Sequence, residues 1–127
     1  MIVVDTSALM AVLLDEPHSK MILEDMVVAD QILMSAATLA EALIVANSRN
    51  IGSEMQSLIE ELAIEIVPVT AQVAKQVAQV YTQWGKGIHP AGLNFCDCFS
   101  YQAAKELDCR LVFVGNDFSK TDLVRSH

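Results

Sequence analysis

The stretch that decides the fold is Met1–Met10, MIVVDTSALM. Ile2, Val3 and Val4 form a short β-branched apolar run, the composition of a strand buried on both faces. The run ends on Asp5, and Thr6 and Ser7 follow with hydroxyls suited to capping a helix that begins at Ala8. The chain thus leaves a buried strand, sets a carboxylate at its C-terminal tip and turns at once into a helix. In open α/β sheets, ligands bind outside the carboxyl ends of the strands, so Asp5 stands where chemistry is usually done. A carboxylate there has a second use, as a helix cap or turn closer. The rest of the chain decides between the two.

The pattern repeats. Gln31–Met34 (QILM), Ile64–Val67 (IEIV) and Leu111–Val114 (LVFV) read as three more short strands. Between them lie helical segments: one to residue 14, one from Pro17 to Val28, one over Ser35–Ser48 and one from an N-cap at Ser53 to Ala63. Two more follow, from a cap at Thr70 to Trp84 and from Asn94 to Leu107. Gly85–Gly92 (GKGIHPAG) is the one Gly/Pro-rich loop. Short apolar strands alternating with helices predict a parallel sheet in an α/β fold. No repeat or linker divides the 127 residues, so one domain over 1–127 is expected.

Composition sets limits. Apolar residues make up 53% of the chain and charged residues 19%, which excludes disorder. Uncharged stretches such as 31–40 and 87–96 are half the length of a membrane span of about 20 residues, so no membrane association is expected. No basic segment precedes the first apolar run, which argues against a signal peptide. Three cysteines, an odd number, suggest reduced thiols and a cytoplasmic location. Eight basic residues against 16 acidic ones leave a net charge of −8, which would repel phosphates unless the acids surround a divalent metal.

Four acids share that setting. Asp5 and Asp117 each lie just past an apolar strand, Glu41 near the start of a helix that follows one, and Asp97 in the first turn of a helix beside Phe95, Cys98, Phe99 and Tyr101. Each has a structural use: Thr38-x-x-Glu41 matches a capping box, Asn94-x-x-Asp97 is a looser one, and Asp117 precedes a short turn. Four acids at one edge of a small sheet are less easily explained as caps. Pressed together, they raise one another's pKa until a cation neutralises them, and Mg²⁺ or Mn²⁺ suits an all-oxygen site. The chemistry that follows is phosphodiester hydrolysis by metal-activated water. No P-loop or nucleophile-elbow spacing competes, and Cys96 and Cys98 read as core thiols.

The set Asp5 in MIVVDTSAL, Glu41 in SAATLAEAL, Asp97 in HPAGLNFCDCFSYQAAKE and Asp117 in GNDFSKTDL resembles the PIN-domain ribonucleases, most of all the VapC-type toxins of bacterial toxin–antitoxin pairs. The resemblance spans the chain in order and spacing. It implies a three-layer fold, with a mainly parallel four- to five-stranded sheet between helices. It also implies a homodimer, a cognate antitoxin as inhibitor, and an endoribonuclease dependent on Mg²⁺ or Mn²⁺. Carried over, Asp5 and Asp97 are the principal metal ligands, Glu41 a further ligand or water-orienting base, and Asp117 the fourth acid. Asn94 and Asn116 support the ligands, and Thr6 or Ser7 steadies Asp5. Lys86, Arg49, Lys120 and Arg125 flank the site, and at least two of them are expected on its rim as contacts for RNA phosphates. Two departures stand out: Cys96 where related sequences often carry Gly before the key acid, and Val114 where they often carry Lys. Two rivals remain, a haloacid-dehalogenase-type phosphohydrolase, which wants an acid where Ser7 stands, and a PIN-fold binding module without catalysis.

Overall fold

Each strand contributes side chains alternately to two cores, which is what a strand buried on both faces must do. Ile2, Val4, Ile32, Met34 and Val112 join one cluster, and Val3, Leu33 and Leu111 join the other. The computed structural model describes residues 1–123 and runs β1 (Ile2–Val4), α1 (Thr6–Leu13), α2 (Ser19–Val28), β2 (Ile32–Ser35), α3 (Ala36–Ser48) and α4 (Gly52–Glu61). It continues with β3 (Glu65–Val67), α5 (Ala71–Trp84), α6 (Phe95–Glu106), β4 (Arg110–Val112) and a short 3₁₀ turn over Phe118–Lys120. The first cluster packs under α1–α4 through Leu9, Ile22, Met26, Ala42 and Met55. The second packs under α5 and α6 through Val77, Val80, Cys98 and Phe99. The result is three layers: helices, sheet, helices.

The four strands are all parallel, in the order β3-β2-β1-β4. The chain moves outward from β1 to β2 to β3, then crosses back through α5 and α6 to lay β4 on the far side of β1. The direction of winding therefore reverses between β1 and β4, the place where a doubly wound sheet opens a crevice at its carboxyl edge. Register holds the pair together, with Val3 opposite Leu111 and Val4 opposite Val112, and the Asp5 amide donates to the Val112 carbonyl at 3.0 Å.

Several helix starts differ from expectation, each because a nearer group won the cap. Asp5 itself caps α1, accepting from the Ser7 amide, so the helix begins at Thr6 rather than Ala8. Ser35 caps α3 through the Ala37 amide, because the chain passes from β2 into α3 with no loop between; Thr38-x-x-Glu41 is therefore no capping box. Helix α4 opens at Gly52 behind Ile51 with no side-chain cap, which leaves Ser53 inside it. Asn94 and Asp97 do form a full capping box at the head of α6. Strand β4 closes at Val112, two residues early, and Gly115 at φ 107° turns the chain toward Asn116 and Asp117.

Candidate active site

Asp5 is buried, 5% exposed, and both its oxygens are engaged. Oδ2 accepts from the Ser7 amide at 3.1 Å and the Ser7 hydroxyl at 2.7 Å. Oδ1 accepts from the Ser100 hydroxyl at 2.6 Å. The network continues outward. Ser7 Oγ accepts from the Val114 amide at 3.0 Å, which ties the head of α1 to the chain just past β4. Ser100 Oγ lies 3.2 Å from Thr38 Oγ1, and the Thr6 hydroxyl donates to the Thr38 carbonyl at 3.4 Å. Ser7 is thus the residue that steadies Asp5, while Thr6 braces α1 against α3. A polar group this deep is costly to bury without such donors around it.

Asp97 stands at the head of α6, half-buried. Its Oδ2 accepts from the Asn94 amide at 3.0 Å, and Asn94 Oδ1 accepts from the Asp97 amide at 2.8 Å. Burial pushes its carboxyl up to about 6 against the Asn94 bond, and the negative charges of Asp5, Asp117 and Glu41 add to the rise. The fields of all four acids therefore meet at this point. Cys96 lies against Glu41: burial, then the charge and hydrogen bond of that carboxylate, push its thiol up to about 11. Cys98 is likewise pushed up to about 11 by burial and then by Asp97. Both stay protonated at neutral pH without a metal, which argues against either as a nucleophile.

Asp117 is exposed, and its carboxylate makes no capping bond to the turn it precedes. Among the described residues none of the four acids enters a salt bridge. An all-carboxylate set with overlapping fields and no protein cation suits a hard divalent ion. Among the described residues no three acid, thiol or imidazole side chains converge at coordinating distance. Asp5 and Asp97 each commit an oxygen to the cap of their own helix.

The other expected residues fall as follows. Asn116 is exposed, and its backbone carbonyl accepts from the Ser119 hydroxyl at 2.7 Å. Lys86 lies in the loop beside Asn94, along a cleft between α5 and α6, and Lys120 ends the turn after Asp117. Arg49 caps the far end of α3, eight residues and about 12 Å of helix beyond Glu41. Arg125 lies outside the described residues. Sequence reading missed Ser100 and took Thr38 only for a capper, since their positions 95 and 32 residues from Asp5 and Thr6 give no local signal.

A parallel α/β sheet with acids gathered at its topological switch defines a class of small, acid-edged domains, and comparison with known proteins narrows the class. The PIN domain family model matches residues 2–124. Ribonuclease VapC30 of Mycobacterium tuberculosis is 42% identical over 125 residues, 95% of each chain. Ribonuclease VapC of Mycolicibacterium smegmatis is 40% identical over 129 residues, covering 98% of this chain and 99% of that one. The chain belongs to the PIN-domain family, in its VapC branch. The fold agrees: the sarcin–ricin loop-cleaving toxin VapC20 of Mycobacterium tuberculosis superposes with a TM-score of 0.78 at 16% identity, over 98% of this chain and 97% of that one. A toxin–antitoxin complex from Klebsiella pneumoniae gives 0.74 at 15% identity, over 96% and 93%. Among the described residues no helix is long and apolar enough to cross a membrane.

Proposed function

We propose that this chain is the ribonuclease toxin of a toxin–antitoxin pair, a single PIN domain that acts in the cytoplasm as a homodimer. It hydrolyses RNA with the help of Mg²⁺ or Mn²⁺ and is silenced by its cognate antitoxin. The observation that carries the reading is the meeting of three carboxylate fields on Asp97, with no salt bridge to any of the four acids among the described residues. A divalent cation held there would neutralise the carboxylates and supply the means to make a water nucleophilic toward phosphorus. Asp5 and Asp97 are the residues that would hold it, with Asp117 reaching in from its exposed turn. Glu41 would orient the attacking water and accept its proton. Ser7 and Asn94 keep the two principal carboxylates aimed, and Thr6 and Asn116 brace the elements that carry them. Lys86 and Lys120 meet the RNA phosphates on either side.

The phosphohydrolase rival is weakened by the use made of Ser7. That reaction wants a second acid at this position, whereas the Ser7 hydroxyl is spent between Asp5 and the Val114 amide. Incubation of the purified chain with single-stranded RNA and with a small phosphomonoester, each with Mn²⁺ or with chelator, separates the readings. RNA loss confined to the Mn²⁺ samples, with the monoester intact, is the expected outcome. Monoester hydrolysis alone points to the phosphohydrolase, and inertness toward both points to a binding module. Neutralising Lys86 and Lys120 together should weaken RNA binding with metal binding unchanged. The salt slope of RNA binding should fall by about 1 for each phosphate that no longer meets a cation.

A further inference from the structure

Beside the carboxylate edge, α5 and α6 part to leave an open cleft of about 600 Å³. Its α5 wall is stepped down by Ala74 and Ala78, one helical turn apart, and its α6 wall is built from Phe95 and Phe99. The two rings meet edge to face at 5.0 Å, yet Phe95 remains 68% exposed. Phe95, two residues from Asp97, is thus a large aromatic held by a neighbouring ring and left open to solvent. Among the described residues the cleft has one cation, Lys86. Its backbone is pinned: the Tyr81 hydroxyl donates to the Lys86 carbonyl at 3.3 Å, and Gly85 packs so close that any β-carbon would meet the Tyr81 carbonyl at 2.4 Å. Asn94 lines the same cleft and bonds Asp97, so the cleft and the carboxylate edge share a residue.

We propose that this cleft is a nucleobase pocket, which receives one unstacked base of the RNA beside the scissile phosphate and so sets where the strand is cut. The inference rests on the ribonuclease reading and adds its specificity element. A nucleotide supplies both features that the walls ask for: a flat π-face to lie on Phe95, and an anion for Lys86 in an otherwise apolar slot. The same contact requires a single-stranded or splayed substrate, since a base paired in a helix cannot turn its face to the ring.

Abasic scanning tests this. Cleavage of a short single-stranded oligoribonucleotide in Mn²⁺ is compared with that of versions lacking one base at each position in turn, for the native chain, Phe95→Ala and Phe95→Tyr. In the native chain, removal of one base within two nucleotides of the cut should lower kcat/KM by about 10- to 100-fold. Phe95→Ala should abolish that difference and Phe95→Tyr restore it, while the Mn²⁺-induced rise in melting temperature stays the same in all three. RNA cleavage that is indifferent to every abasic position, or a sensitivity that survives in Phe95→Ala, overturns the pocket and leaves the ribonuclease reading standing. A Phe95→Ala chain whose abasic profile is unchanged but whose dimer dissociates in sedimentation assigns the cleft to a second copy instead. Absence of any Mn²⁺-stimulated cleavage ends both readings together.

Discussion

Asp5 and Asp117 follow two neighbouring strands of the same parallel pair, yet the chain treats them in opposite ways. Asp5 is buried and held by three donors from two helices. Asp117 is exposed on a turn that its side chain does not cap. The first cannot swing without breaking a network that reaches α3 and β4; the second is free to adapt. A site built this way has one fixed corner that defines the position of whatever binds, and one adjustable corner that completes it. The proposed roles of the two acids should therefore differ in weight.

Substitution is the sharpest way to break that asymmetry. Asp5→Asn should lower Mn²⁺-dependent RNA cleavage by more than about 100-fold, beyond the loss typical of groups that only orient a ligand. Asp117→Asn should cost about tenfold or less, and equal losses would erase the distinction between fixed and adjustable corners. Next in size is the prop. Ser100→Ala strands Asp5 Oδ1 and removes the partner of the Thr38 hydroxyl. Urea unfolding should show a loss of about 1–3 kcal/mol, and half-saturation of the Mn²⁺-induced thermal shift should move to about tenfold higher metal. A variant as stable as the native chain would mean that Asp5 is held by Ser7 alone.

The smallest effect concerns Asp97. Its carboxyl is raised from the ordinary value of 3.8 to about 6, so folding favours its protonated form. Without metal, the stability associated with that proton is present below pH 4 and lost as pH rises through 6. Asp97→Asn removes the ionisation and keeps an acceptor for the Asn94 amide. The metal-free variant should match the native chain near pH 4 and exceed it in melting temperature by about 2–5 °C at pH 7.5. Added Mn²⁺ should reverse the order, because it stabilises only a site that keeps its ligands. A gap of the same size at both pH values would mean that the charge at Asp97 is not what separates them.

How much of this was legible in the sequence follows from how local each signal is. The strand–acid–helix passage at Met1–Met10 needed only neighbouring residues, and so did the Asn94–Asp97 box, whose two bonds span three positions. The caps of α1 and α3 were misread because several cappers stand in a row. Asp5, Thr6 and Ser7 all compete for one helix start, and Ser35 precedes Thr38 at another; only the exit angle of the strand decides which oxygen reaches the free amides. The bond from Ser100 to Asp5 crosses 95 residues and depends on α6 lying across the head of β1, which no local pattern encodes. The looseness of the acid set was also hidden. Proximity at one sheet edge was readable, but where the four carboxylates stand relative to one another is set by how the helices pack.

One bond described above bears on how this site can change over generations. The contact that joins the chain just past β4 to the Asp5 network is made by the backbone amide of residue 114, with no part played by its side chain. Any residue except proline brings that amide, so the position can drift among Lys, Val and others without loosening the buried carboxylate. A side chain at 114 can therefore change the charge at this edge while the anchor beneath it stays constant. Valine at 114 therefore leaves the Asp5 network intact, and Val114→Pro is the one exchange there that would disturb it through the main chain.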